Sequence, residues 1–547
     1  MQFVRVLVPL RLDWIPVYRT ELPLRRGQSV GVRLSGREYV GLVWESAATP
    51  DIDASRILPV NEVLEDLPEV GAEEMEFWKF LSEYYLCSLN EVYKAARPAQ
   101  MLRSMQAEAL RRRKAEARKL AENEALRSRI ASAQQRLTAL EARIAAPRRS
   151  EAVAARLAGQ KERLLRQLDT LKKRLGETQP DSQAAPSPVQ KEFPDKPTLI
   201  MGDRRGGYYL DAALKALKRG MQVLILTPET AFCKRLEAFL EPHLDGKMQS
   251  AVSAAQRGRT AAALLRGESV AVIGTKAAIF LPFTRLALVV IDEEQDSFYK
   301  QNDSAPRYNG RDAALKLAEI HGAEVLLGSS FPSLEARYNC AGGKFRLCNA
   351  PARSGKLSVV DIGAEKRKNG MTGYFSRKLV SAVLGCSGPA VLLRGWEKPE
   401  ELTRQCAALF PGLDVRVMTL TELKREGCPG AALIAVIQAD ALVSDDDFRS
   451  DERALQLVAM LRGLAPEVLV QTSVRERFDG SKTAESLMRE RREFSFPPYT
   501  RLVEVRREND GETLERHFLK RGPELSEQKR QILENLPQGT YPDVDPA

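Results

Sequence analysis

The sequence contains no Cys-x-x-Cys pair. Its seven cysteines, Cys87, Cys233, Cys340, Cys348, Cys386, Cys406 and Cys428, are odd in number and dispersed. That usage predicts reduced thiols and argues against a zinc site or any other metal centre. No run approaches 18 apolar residues, so no membrane span and no membrane partner are expected. The opening stretch, Met1 to Leu10, reads as a strand; it lacks the basic region, apolar core and cleavage site of a secretory signal, and a cytoplasmic location is expected. Aromatic residues are missing from 102 to 177, which excludes base stacking by that segment. Acidic residues are outnumbered, 73 against 83 Lys and Arg, for a net charge of +10. The excess favours a polyanionic partner.

What is present divides into pieces. A length of 547 residues with 44% hydrophobic content predicts three or four domains with proper cores. In 1–100, alternation in Phe3–Val8, Ser29–Leu34 and Glu38–Trp44 predicts strands split by turns at Gly27, Gly31 and Ser35-Gly36, followed by a helix. In 102–177, Leu126, Ile130, Ala133, Leu137, Leu140 and Ile144 recur at four- and three-residue steps. Val153, Leu157, Leu164, Leu168, Leu171 and Leu175 continue the pattern. This heptad signature predicts an antiparallel coiled-coil hairpin, with Pro147 ending one helix and Ser150 capping the next. Two arms of about 27 residues would each reach roughly 40 Å. The segment carries 20 Lys and Arg against 9 Asp and Glu, so its +11 equals more than the whole chain's excess. That charge reads as a solvated helix surface, as a rail for phosphates, or as part of an arm that docks another protein.

Residues 178–196 are a linker by composition. From Pro197 short apolar strands alternate with helices, as in a nucleotide-binding α/β lobe. The strands are expected at Thr198–Met201, Gln222–Leu226, Val270–Ile273, Leu286–Ile291 and Glu324–Leu327. The fourth is the centre of the chain. It is an apolar run that ends in Asp292-Glu293-Glu294, at the carboxyl end of a buried strand where doubly wound sheets bind ligands. In nucleotide hydrolases this is the Walker B position, whose Asp holds Mg²⁺ and whose Glu orients the attacking water. The plainer reading is a strand ending in a solvated acidic turn.

The residues that follow favour the first reading. Ser297-Phe-Tyr-Lys-Gln301, Pro306-Arg-Tyr-Asn-Gly-Arg-Asp312 and Leu326-Leu-Gly-Ser-Ser-Phe-Pro-Ser-Leu-Glu335 stand in order after Asp292-Glu293-Glu294-Gln295. Together they resemble the PriA family of replication-restart helicases, which reads Asp-Glu-Glu-His, Ser-Tyr-Lys-Gln, Arg-Tyr-x-x-Arg-Asp and Gly-Ser-Ala-Thr-Pro-Ser at the same spacing. Phe77–Ala96 and Ala431–Arg453 match the family closely as well. The resemblance implies an α/β fold of two RecA-like helicase lobes behind a small β-rich domain that captures the 3′ end of a nascent strand. The domains are then 1–100 for the 3′ DNA-binding-like domain, 102–177 for the basic hairpin, 178–196 for the linker, 197–350 and 351–475 for the lobes, and 476–547 for a shortened C-terminal domain. The hairpin stands where the family carries a winged helix.

Several departures bear on activity. A Walker A loop needs Gly-x-x-x-x-Gly-Lys-Ser/Thr; Gly202-Asp-Arg-Arg-Gly206-Gly207 keeps the glycines, but Tyr208 and Tyr209 replace the cation and the small hydroxyl. Arg204 and Arg205 carry charge within the loop, without obvious reach to the lysine's position. The family's fifth motif has no counterpart, its zinc insertion is absent, and of its sixth motif Arg462 alone remains as an arginine finger. An arginine finger is worth about 10³–10⁵ in rate, so these losses predict that Asp292 and Glu293 are a remnant pair without turnover. No ATP, Mg²⁺ or zinc is then required. DNA contact is expected from Trp14, near the family's pocket aromatic, although Ile15 replaces a residue that is acidic in many relatives. Further contact is expected from Gly274, Thr275 and Lys276, in a loop that touches the tracking strand in the family. Lys300, Arg307 and Arg311, with Tyr299 and Tyr308, either suit single-stranded DNA or brace the loop after the acidic strand. The function expected is ATP-independent binding of forked or single-stranded DNA in replication restart or repair, with restart proteins docking on the arm. The alternatives are an active 3′-to-5′ helicase, as the family name implies, and a coiled-coil scaffold that has lost DNA binding.

Overall fold

A computed structural model describes residues 2–50, 53–145, 151–177, 196–443 and 447–546. The chain divides into two compact units: residues 105–191, and the rest.

In the larger unit, β1 (Gln2–Leu7), β2 (Val17–Thr20), β3 (Ser29–Leu34), β4 (Arg37–Glu45) and β5 (Val60–Val63) form an antiparallel sheet in the order β2-β1-β4-β3-β5. Alternation turns Val4, Val6, Val30, Val32 and Val43 into its core. Ser35 and Gly36, at φ 48° and 80°, make the two-residue hairpin between β3 and β4; positive φ at both positions matches the twist of the flanking strands. Then come α1 (Ala72–Tyr85) and α2 (Leu89–Ala96), the second opened by a Ser88–Glu91 capping box.

The first lobe contains β6 (Thr198–Met201), α5 (Gly206–Lys218), β7 (Gln222–Leu226), α6 (Thr230–Leu240), β8 (Met248–Ser250), α7 (Ala254–Leu265), β9 (Ala271–Gly274), β10 (Leu286–Asp292), α8 (Gly310–His321), β11 (Glu324–Ser329), α9 (Leu334–Ala341) and β12 (Arg346–Asn349). Its seven strands are all parallel, in the order β12-β6-β11-β10-β7-β9-β8. The second lobe contains β13 (Lys356–Asp361), α10 (Ile362–Lys368), the short pair β14 (Met371–Thr372) and β15 (Phe375–Ser376), α11 (Arg377–Leu384), β16 (Ala390–Arg394), α12 (Pro399–Leu409), β17 (Val415–Thr419), α13 (Leu420–Glu426), β18 (Leu433–Val436), α14 (Ser450–Leu464) and β19 (Glu467–Thr472). Five of its strands form a second parallel sheet, β13-β19-β18-β16-β17. A tail of α15 (Ala484–Glu493), β20 (Thr500–Arg507), β21 (Thr513–Lys520), α16 (Leu525–Glu534) and β22 (Thr540–Val544) ends the chain in an antiparallel sheet, β21-β20-β22. The fold is thus α/β, two parallel-sheet lobes behind a small antiparallel domain.

The smaller unit is helical. It holds most of α3 (Ala99–Ala145) and all of α4 (Glu151–Glu177). Leu126, Ile130 and Ala133 pack with Leu168 and Leu171, flanked by Leu137, Leu164 and Leu175, which is the expected seam. Two features differ from expectation. The seam fades towards its ends, with Ile144 and Val153 exposed. The arms are also unequal: α3 has 47 residues against 27 in α4, so the first half of α3 runs on where the heptad pattern has stopped. The turn at Pro147 and Ser150 and the linker at 178–195 lie outside the described residues. No described helix is long and apolar enough to cross a membrane.

Candidate functional site

Two crossovers build the centre of the first lobe. β10 is an apolar strand buried by parallel neighbours on both sides, so the polar residues after it must emerge at its carboxyl end. Asp292 lies in register with Gly328 of β11, and Glu293 follows at φ 51°. That left-handed conformation costs a non-glycine residue roughly 1–2 kcal/mol. The loop after β6 reaches the same point from the other side. Gly202, at φ 139°, is required there, because a Cβ would sit 2.3 Å from the Ala350 carbonyl oxygen. Gly206 and Gly207 open α5.

Arg205 closes the space between them. Its side chain is only 7% exposed, and Nη2 lies 2.8 Å from Asp292 Oδ1 while also pairing with Glu293 Oε1. Nε donates to Asp292 Oδ1 at 2.9 Å, and Nη1 donates to the Gly202 carbonyl at 2.7 Å and to Ser330 Oγ at 3.2 Å. The Tyr209 hydroxyl donates to the same Asp292 oxygen at 2.8 Å. Its ring is buried, and a Cβ at Gly328 would stand 1.6 Å from its oxygen, so glycine is needed opposite the phenol. Gln295 donates to Glu293 Oε2 at 2.7 Å. Burial alone would pull the Arg205 guanidinium down, but Asp292 and Glu293 override it and hold the group charged. Burial pushes Asp292 above the usual carboxylate range against the pull of Arg205, while Glu293 is drawn below it because Arg205 and Gln295 outweigh burial. Burial and Asp292 together keep Tyr209 a neutral phenol. Arg205 therefore reaches the acidic strand end, a contact the sequence reading does not consider. Tyr208 is 39% exposed and takes no part in the cluster.

Mg²⁺ requires near-octahedral oxygen ligands at about 2.0–2.1 Å. The facing oxygens of Asp292 and Glu293 are already bonded to a guanidinium, a phenol and an amide, and the loop supplies neither the ammonium nor the small hydroxyl. The residues present do not fit a magnesium–triphosphate group. Beside them lies a cavity of about 420 Å³, lined from the first lobe by Arg205, Glu293 and Asp296 and from the second by Lys424, Arg449 and Arg453. The lobes are bridged directly by Lys424 Nζ to Asp296 at 2.7 Å, by the Leu334 N–H to Glu452 at 2.9 Å, and by the Arg353 N–H to Asp203 at 2.8 Å. Arg462, the expected finger, instead donates to Ser354 Oγ and to the Gly355 carbonyl at 2.5 and 2.8 Å.

The structure separates the expected DNA contacts. Trp14 is 58% exposed on the loop between β1 and β2. Asn90 of α2, which sequence reasoning missed, fastens that loop: its buried amide donates to the Leu12 and Trp14 carbonyls and accepts from the Val8 N–H. Gly274 is buried at the end of β9, and its carbonyl accepts from the Thr227 N–H. Thr275 and Lys276 are half-buried, and Lys276 Nζ donates to the carbonyls of Phe298 and Lys300. Lys300 and Arg311 are both enclosed and paired with carboxylates. Lys300 has no exposed side-chain surface; it pairs with Asp543 at 2.7 Å and donates to the Val544 and Arg307 carbonyls. Arg311 is held by Glu294 and Asp312 at 3.1 and 2.8 Å. Arg307 lies 3.5 Å over the Tyr541 ring. A buried cation already paired with a carboxylate has no charge to offer a phosphate, and nothing in the local sequence separates it from an exposed one.

Comparison with known proteins bears on this arrangement. Residues 5–98 match the PriA 3′DNA-binding domain. A replication restart protein PriA of Rickettsia felis is 27% identical over 399 residues, covering 70% of this chain and 51% of that protein. The PriA of Rickettsia prowazekii is 35% identical over 203 residues, 35% of this chain and 31% of that one, and the PriA of Chlamydia pneumoniae is 31% identical over 192 residues, 34% and 26%. The chain spans about half the length of the first of these relatives, and less of the other two. Among solved structures, RecG bound to a three-way DNA junction is 16% identical with a TM-score of 0.34, covering 56% of this chain and 42% of that one, too distant to bear on function. Residues 5–98 are thus a PriA-type 3′DNA-binding domain, and over 70% of its length the chain is similar to replication restart proteins PriA.

Proposed function

We propose that the chain binds forked or single-stranded DNA in the cytoplasm, as an accessory of replication restart or repair, and that it does so without hydrolysing ATP. One observation carries the second half: the Arg205 guanidinium sits between Asp292 and Glu293, with the Tyr209 phenol on the same oxygen. Nucleotide entry would require that ion pair to open. Removing one partner of a buried pair costs about 3–5 kcal/mol, and two carboxylates freed this way still lack the loop lysine. The PriA-type domain at 5–98, with Trp14 exposed on its loop, supports the first half, because an exposed indole is a platform for a terminal or unpaired base.

The retained Asp292–Glu293 pair favours a second reading, a working DNA-dependent ATPase. Phosphate release from ATP with fork DNA present, compared with a D292A/E293A double variant, separates the two. Equal rates are expected; hydrolysis in the wild type above the double variant would establish the ATPase. Gel shifts over a salt series test DNA binding itself, and an affinity indifferent to both salt and fork structure would remove it.

A further inference from the structure

Between Met105 and Leu126, α3 is a helix with no buried face. Every described residue from 110 to 122 is exposed, while the paired part of the same helix buries Leu126, Ile130, Ala133 and Leu140. Helices of globular proteins ordinarily owe their stability to one buried face. This stretch, residues 106–122, owes it to composition: it consists entirely of Gln, Ala, Glu, Leu, Arg and Lys, all strong helix formers. Leu110 and Leu120 are exposed, but ten positions apart they point in different directions and make no apolar stripe for a partner helix.

Its charge is concentrated. Arg111, Arg112, Arg113, Lys114, Arg118 and Lys119 fall within nine residues against one carboxylate, Glu116. Arg111, Lys114 and Arg118 stand at i, i+3 and i+7, which places them on one face, over about 10 Å of helix axis. Glu108 and Glu122 bound this stripe. The surface pairs within it, Arg112 with Glu116 at 2.7 Å and Arg111 with Glu108 at 3.8 Å, are of the exposed kind, worth only about 0.2–1 kcal/mol, and yield readily to a stronger anion.

We propose that residues 106–122 of α3 form a binding site for the phosphate backbone of duplex DNA, with Arg111, Lys114 and Arg118 as its contact stripe. The inference rests on the DNA-binding reading above and gives it a second, sequence-independent surface. Duplex is favoured over unpaired strands because the stretch has no aromatic side chain to take a splayed base. It is favoured over an acidic protein because no apolar seam accompanies the charge. A stripe about 10 Å long spans about three phosphates of one strand, at one per 3.4 Å of axis.

The test measures affinity of the full chain for a short blunt duplex as salt is raised, for the wild type, for R111Q/K114Q/R118Q, and for R127Q/R129Q/R136Q as a control of equal charge loss on the paired part of α3. Arginine, lysine and glutamine are all good helix formers, and unchanged helical circular dichroism verifies the fold. The stripe variant is expected to lower the slope of log affinity against log salt by about 2.7, three contacts at ~0.9 each, so that about 40-fold of the loss between 50 and 200 mM salt disappears. The control is expected to keep the wild-type slope. An unchanged slope in the stripe variant overturns the proposal. An equal fall in both variants also overturns it, in favour of diffuse attraction by the arm. A stripe variant that loses affinity for poly-glutamate but keeps its slope on duplex overturns it in favour of an acidic protein partner. If the wild type binds no DNA of any form, the functional reading itself falls; if it binds forks with the same salt slope with and without the stripe, only this inference does.

Discussion

Arg205 and Arg111 are the same residue type in opposite situations. Arg205 is enclosed in the first lobe with two carboxylates and a carbonyl satisfying it; Arg111 stands on an exposed helix with one long pair at 3.8 Å. A guanidinium taken out of water must be paired, because an isolated buried charge costs far more than any fold can supply. Once paired, it is neutralised towards everything else. The exposed one gives up little to stay where it is and remains available to a polyanion. In this protein the buried cations are structural and the exposed ones are the candidates for binding, the reverse of what a motif search through the acidic strand would suggest.

The largest expected effect comes from breaking the buried side of the comparison. R205A leaves Asp292 and Glu293 facing each other without a cation and is expected to lower unfolding stability by about 3–5 kcal/mol. Urea denaturation measures it, and combining R205A with D292N/E293Q should recover most of the loss. If R205A alone proves neutral, the pair is not what holds the loop. A second buried cluster gives an effect of about 2 kcal/mol with a pH signature. Burial would raise the Asp545 carboxyl, but Arg501, Lys529 and the Tyr84 hydroxyl draw it down to about 2. A carboxyl lowered on folding contributes stability that is fully present above the unfolded pKa near 4 and is lost as pH falls through about 2. D545N should therefore destabilise at neutral pH and flatten the acid limb of a stability–pH curve; an unaltered limb would show that the cluster does not control it. Y209F removes one hydrogen bond to Asp292 and leaves the ring in place, for about 1 kcal/mol by the same denaturation measurement. The smallest effect sharpens the exposed side. E116Q frees Arg112 and should change stability by no more than about 0.5 kcal/mol, while raising affinity for DNA, since one opposing charge is gone. A large stability loss from E116Q would mean that the helix is held by its surface pairs.

Much of the fold was legible because buried parallel strands are continuous apolar runs. Thr198–Met201 and Gln222–Leu226 emerge at the bounds read from sequence, and Glu324–Leu327 extends by two residues to Ser329. The strands that were missed, Met248–Ser250 and Arg346–Asn349, lie at the two edges of the first sheet. Each pairs on one side only, so each tolerates polar residues that hide it. The hairpin seam was legible from its period. The length of α3 was not, because helix propensity without periodic burial leaves no apolar pattern to follow.

Composition and spacing by themselves determined the strand–helix alternation of the first lobe, the basic arm, the acidic strand end, and the loss of the loop lysine and hydroxyl; the second lobe was read from the family resemblance. Only the tertiary structure decided between neighbours that look alike in the chain. Arg204 is exposed while Arg205 locks the carboxylates, and Tyr208 faces solvent while Tyr209 fills the space over Gly328. The reason is geometric. At the entry to a helix, adjacent side chains leave about 100° apart, so one position of each pair points at the sheet and the other at water, and which one does so depends on how the loop is seated against β10 and β11.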